Sequence, residues 1–128
     1  MTQEDKELLL KDLCARLPYG VKIQVPYEDS SGYFDETVWE VNNDGPFHVN
    51  GWGIEYEYVK PYLRPISSMT EDEQRTLDSM CNGVEMVSRL SGLKMFDKAF
   101  NWLNENHFDY RGLIEKGLAI DATGLNIY

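Results

Sequence analysis

The chain has 128 residues, 42% of them hydrophobic and 27% charged, which is the length and balance of one globular domain and excludes a disordered tail, a fibrous repeat or a disulfide scaffold. Lys and Arg number 12 against 22 Asp and Glu, leaving a net charge of −10. That field repels polyanions, and the basic residues stand singly rather than in a patch, so direct binding to nucleic acid or to anionic lipid is disfavoured.

Thr2 followed by Asp5 reads as a helix cap with acids in the first turn. Leu10, Leu13, Cys14 and Leu17 then recur at helical spacing, with Leu9 widening the stripe, until Pro18-Tyr19-Gly20 stops it. The pattern predicts a helix over 3–16 with Cys14 as a buried, inert thiol. The period changes to two at Val21, Ile23, Val25 and Tyr27, a half-buried strand that ends or reaches an edge at Pro26. A second strand is expected over 34–41, and Asn42-Asn43-Asp44-Gly45 carries turn chemistry before a short strand over 47–49. Trp52, Ile54, Tyr56 and Tyr58 alternate with Gly53, Glu55 and Glu57, predicting a strand over 52–59 with its carboxylates turned to water. Two prolines in 60–65 end the sheet on this reading.

Thr70 with Glu73 three residues later is a capping box that starts a helix running to Asn82-Gly83. Residues 84–93 fit a short helix or a strand equally well. Phe96, Ala99, Phe100 and Leu103 predict a helix over 95–104 whose row His107 extends, and 110–117 are expected to form a last helix around Leu113 and Ile114. The tail, 118–128, suits an edge strand or a frayed end. The expected architecture is a single α+β domain: an N-terminal helix and C-terminal helices covering one face of a three- or four-stranded antiparallel meander.

Three stretches carry a resemblance: Leu17-Pro18-Tyr19-Gly20-Val21-Lys22, Lys60-Pro61-Tyr62-Leu63-Arg64-Pro65-Ile66-Ser67-Ser68-Met69-Thr70, and the run from Trp102-Leu103-Asn104 through His107-Phe108-Asp109-Tyr110-Arg111-Gly112 to Leu118. Together they resemble a family of small uncharacterised acidic proteins encoded in gut Bacteroidales genomes and their prophages or mobile elements. The resemblance implies a bacterial or phage-linked setting and brings no activity, cofactor or catalytic residue with it. No run approaches the ~18 apolar residues of a membrane span, and the first residues lack a basic leader, so a cytoplasmic location is expected.

Chemistry-bearing constellations are few. Cys14 and Cys81 form no CxxC pair, Ser67 and Ser68 sit in no nucleophile elbow, and no glycine-rich phosphate loop precedes a helix, so neither a cofactor nor a metal is expected. One alternative site remains, His107, Asp109 and Arg111 joined by the distant His48, and it would suit a small hydrolase or metal-dependent enzyme. The plainer reading makes His107 a cation at a helix C-terminus and Asp109 a helix cap, with Arg111 paired to Asp109 or Glu115. Between Ile23 and Val59 stand eight acids (Glu28, Asp29, Asp35, Glu36, Glu40, Asp44, Glu55, Glu57) and no Lys or Arg. With aromatics beside them, they point to a non-catalytic protein–protein interaction or accessory role. Glu36, Glu55 and Glu57 would then steer a basic protein partner that Trp39 or Trp52 anchors.

Overall fold

The computed structural model describes residues 2–27, 31–42, 45–48, 58–81 and 89–128. Helix α1, Gln3–Arg16, opens on a complete capping box: Thr2 Oγ1 accepts from the Asp5 N–H at 3.1 Å and the Asp5 carboxylate accepts from the Thr2 N–H at 3.3 Å. A single 3-10 turn, Leu17–Tyr19, then leads to Gly20 at φ 70°, a left-handed turn that glycine adopts without a Cβ clash.

Strand β1, Lys22–Pro26, buries Ile23 and Val25 by simple alternation. It pairs antiparallel with β2, Tyr33–Asn42, placing Val25 opposite Phe34 and Gln24 opposite Asp35. The hairpin is closed by the Tyr27 N–H donating to the Gly32 carbonyl at 2.9 Å and by the Tyr27 and Phe34 rings, 5.0 Å apart. Strand β3, Gly45–His48, pairs antiparallel with the outer side of β2, with an irregularity between Val38 and Glu40.

Residues 60–65, expected to end the sheet, instead form β4, Lys60–Pro65, which has partners on both sides. Its prolines fall near its two ends, and between them Arg64 donates its N–H to the His107 carbonyl at 2.8 Å while the Leu63 carbonyl accepts from the Ala122 N–H at 2.8 Å. Helix α2, Glu71–Cys81, begins on the Thr70–Glu73 capping box in both directions. Helix α3, Arg89–Glu105, takes in the second half of the ambiguous segment. The short strands β5, Phe108–Asp109, and β6, Ile120–Asp121, both pair in parallel with β4.

The strand order is β3-β2-β1-β4-β5 with β6 also on β4. The fold is therefore mixed α+β with a largely antiparallel sheet, but not a simple meander: β1 and β4 are neighbours without being consecutive, and the C-terminal segment adds parallel pairs. Helix α1 packs Leu9 and Leu13 on Val21, Ile23, Val25, Val38 and Val59. A second cluster joins Leu63 to Leu113, Leu118 and Ala119, with Leu8 and Ile114 against it.

Several expectations are corrected here. The buried row of α1 is Leu9, Asp12, Leu13 and Arg16, so the helix is rotated from the Leu10–Leu13–Cys14–Leu17 stripe and Cys14 is exposed, as is Cys81. On α3 the buried positions include Ala99 and Leu103, whereas Phe96 and Phe100 stand half exposed. Residues 110–117 form turns rather than a helix, because Gly112 at φ 77° and Gly117 at φ 74° reverse the chain. Of the strand expected over 52–59, residues 52–57 lie outside the described residues, while Tyr58 is exposed and Val59 buried just ahead of β4.

Because Leu63 is fully buried at the centre of β4, Leu63→Ala is expected to lower unfolding stability by about 2–5 kcal/mol. Exposed Cys14→Ser should stay within about 0.5 kcal/mol in the same chemical denaturation measurement.

Candidate functional site

The His107–Asp109–Arg111 run leaves the end of α3 through an unusual turn: His107 adopts φ 60°, a left-handed conformation that swings the chain from the helix into β5. From there the three side chains go to three separate surroundings. The His107 imidazole is buried and stacks on the Tyr128 ring, with centroids 3.6 Å apart and planes 9° from parallel. Burial first, and then the positive charges of Arg16, Arg64 and Lys22, pull its pKa from 6.5 down to about 4. It is neutral at neutral pH, which corrects the expected helix-end cation, and its Nδ1 has no hydrogen-bond partner.

Both oxygens of Asp109 are occupied, accepting from the Leu113 and Ile114 N–H groups at 2.9 Å each. They hold a turn in the place of the expected helix. Arg111 pairs with neither Asp109 nor Glu115; its Nη1 donates to Asp12 Oδ1 on α1 at 2.7 Å. His48 lies on β3, at the opposite end of the strand path from β5, and its side chain is outside the described residues. Among the described residues, no group of three or more His, Cys, Asp or Glu side chains is placed to hold a metal ion.

Of the acidic sheet-face set, Trp52, Glu55 and Glu57 and the side chain of Trp39 also lie outside the described residues. Glu36 stands opposite Ile23 in the β1–β2 register, and directly opposed residues share a face. It is therefore half-buried on the face that α1 covers, not turned outward as expected.

The residues that do converge are Asp12, Arg16 and Arg111. Asp12 and Arg16 are both 0% exposed. The Arg16 Nε donates to Asp12 Oδ2 at 3.0 Å, and its Nη2 donates to the Phe108 carbonyl of β5. One carboxylate thus serves two guanidinium groups. Tyr110 lies against both cations, 4.4 Å from the Arg111 guanidinium and 5.7 Å from that of Arg16. Its ring also meets Phe100 at 5.3 Å, and its hydroxyl donates to Asn104 Oδ1 at 3.2 Å. A cavity of about 570 Å³ opens beside the cluster between α1 and α3, lined by Leu8, Lys11, Phe100, Asn104, Tyr110 and Arg111. The i, i+4 spacing of Asp12 and Arg16 within a Leu9–Leu13 row was the sequence signal for this pair; their polarity masked it, and nothing local announces Arg111 as the third member.

The other side of β4 is polar. Tyr62 donates its hydroxyl to Asp35 and accepts from Gln24 Nε2 at 3.2 Å, and burial together with the Asp35 carboxylate pushes its pKa up. The β1–β4 register, extended by one pair, would put Lys22 opposite Tyr62. There the Tyr128 hydroxyl bridges the two backbones, accepting from the Lys22 N–H at 2.9 Å and donating to the Tyr62 carbonyl at 2.8 Å. Arg64 clamps Glu73 of α2 with two bonds of 2.8 and 2.6 Å while lying 4.2 Å from the Phe108 ring centre; that clamp holds the Glu73 pKa near 2, below its usual 4.5.

Removing the shared carboxylate strands buried Arg16 and unpairs the mostly covered Arg111, so Asp12→Ala is expected to cost about 3–5 kcal/mol in denaturant unfolding. The pH dependence has a definite sign at His107. Its unfolded imidazole binds a proton below about 6.5 and its folded imidazole only near 4, so stability falls as pH drops through that window. Unfolding curves of His107→Asn, a residue that tolerates the left-handed backbone, should lose that slope between pH 6.5 and 4. Comparison of the chain with protein-family models, with curated proteins and with solved structures finds no match.

Proposed function

We propose that this chain is a protein–protein interaction or accessory domain rather than an enzyme, in keeping with the bacterial or prophage setting that the resemblance implies. The observation that carries this reading is the outer stripe of α3. Leu93, Phe96 and Phe100 are 66, 47 and 46% exposed, and their i, i+3, i+7 spacing sets them in one row along the helix. In a domain that has buried Leu9, Leu13, Leu63 and Phe108 completely, three large side chains in one row remain about half exposed or more. Contiguous exposed rings and aliphatics are the usual mark of a contact surface.

The charged groups also support a binding role. Asp12, Arg16, Arg64, Glu73 and Asp109 are each engaged by structural partners, and His107 is stacked and buried. The net charge of −10 favours a protein partner with a basic surface, steered over long range and then seated by the apolar stripe. The same field disfavours nucleic acid as the direct ligand. No described helix is long and apolar enough to cross a membrane.

The test compares proteins captured by the wild-type chain with those captured by Phe96→Asp, an exposed substitution that leaves the described core intact. A partner enriched by the wild type should be lost by at least tenfold with the variant, and its association rate should fall as salt is raised. Equal capture by both proteins overturns the reading. So does an effect of the substitution confined to self-association of the chain.

A further inference from the structure

An open groove runs between α1 and α3. Its volume of about 570 Å³ lies within the range of ~300–1,000 Å³ common to small-molecule sites. Leu8 and Phe100 give it apolar walls, while Lys11, Asn104 and Arg111 bring polar groups to the same space. In a chain of net charge −10, a concavity that gathers an ammonium and a guanidinium is a local reversal of sign.

The cation at its end is held in place before any ligand arrives. Asp12, fully buried, fixes one edge of the Arg111 guanidinium, and Tyr110 stacks on its face at 4.4 Å. The Arg111 side chain is 14% exposed and lines the groove. Beneath it two guanidinium groups share one carboxylate, and buried Arg16 Nη1 has no acceptor. Asn104 gives its Oδ1 to the Tyr110 hydroxyl, which leaves the amide's donor end for the cavity. A second carboxylate placed on Arg111 would meet the donors of the planar fork that Asp12 leaves free, in the bidentate geometry that guanidinium groups favour. Phe100 and Tyr110, with rings 5.3 Å apart, would meet a flat apolar body attached to that carboxylate.

We propose that this groove binds a carboxylate carrying a flat apolar body, with Arg111 and Lys11 taking the acid and Phe100 and Tyr110 the ring. The site goes beyond the docking reading of α3, since a free acid occupies it with no partner present. Two sources share the chemistry: a free aromatic acid, and the C-terminal carboxylate of a peptide ending in an aromatic residue.

Titration of the isotopically labelled chain with phenylacetate, and with N-acetyl-leucyl-phenylalanine, followed by amide and arginine side-chain NMR, tests the proposal. Saturable shifts are expected at Lys11, Asn104, Tyr110 and Arg111 with both acids and not with their amides, and the tighter of the two acids identifies the source. Lys11→Gln, on the exposed side of α1, should weaken binding about tenfold; Phe100→Ala should weaken it as well without altering the fold. Absence of saturable shifts, equal binding of acids and amides, or unchanged affinity in Lys11→Gln overturns the proposal. Phe96→Asp, which lies outside the groove lining, should leave the titration unchanged, so failure here and failure of the docking reading are told apart.

Discussion

A single carboxylate connects the two ends of this domain. Asp12 sits on a helix formed from the first residues, yet its oxygens are divided between Arg16, one turn along, and Arg111, from the segment that follows α3 in the chain. Arg16 extends the link to the Phe108 carbonyl in β5. Charges taken out of water cost more than their attraction returns unless donors and acceptors match closely. Here they match for the acid and only in part for the bases, because one guanidinium nitrogen of Arg16 is left over. The triad therefore acts less as a source of net stability than as a constraint on register: α1 must present this face, and the 108–111 segment must pass at this height, or two cations lose their counter-charge.

The C-terminal segment completes what the hairpin strands leave open. Strand β4 would be an edge without it, carrying Arg64 and Leu63 backbone groups that the His107 carbonyl and the Ala122 N–H now satisfy. Tyr128 does comparable work with a side chain, its hydroxyl standing between the Lys22 and Tyr62 backbones where the β1–β4 ladder stops. His107 then covers the Tyr128 ring. A buried imidazole stacked in this way contributes packing and is kept neutral by its surroundings, so the most chemically suggestive residue of the sequence serves the sheet.

What faces outward divides by chemistry. One side of the helical layer shows an apolar row on α3, and the adjoining groove toward α1 shows two cations in a chain dominated by acids. The shared position of Phe100, exposed on the row and lining the groove, makes the two continuous. Two rings stand beside a guanidinium that Asp12 holds in one orientation.

Local chemistry was legible in the sequence wherever a few neighbouring residues decide the outcome. The capping boxes at Thr2–Asp5 and Thr70–Glu73 formed in both directions, and the alternation at Ile23 and Val25 gave a strand with its aliphatics inside. Tertiary structure alone decided which face of α1 is buried, since a row containing Asp12 and Arg16 reads as solvent-facing until Arg111 and the Phe108 carbonyl are brought to meet it. It likewise decided that 60–65 is a strand despite two prolines, because the partners that complete it come from residues 107–109 and 120–122. Capping and alternation act over a few residues along the chain. The pairing of a buried charge or a strand edge depends on groups about fifty to a hundred residues away, whose arrival no local pattern encodes.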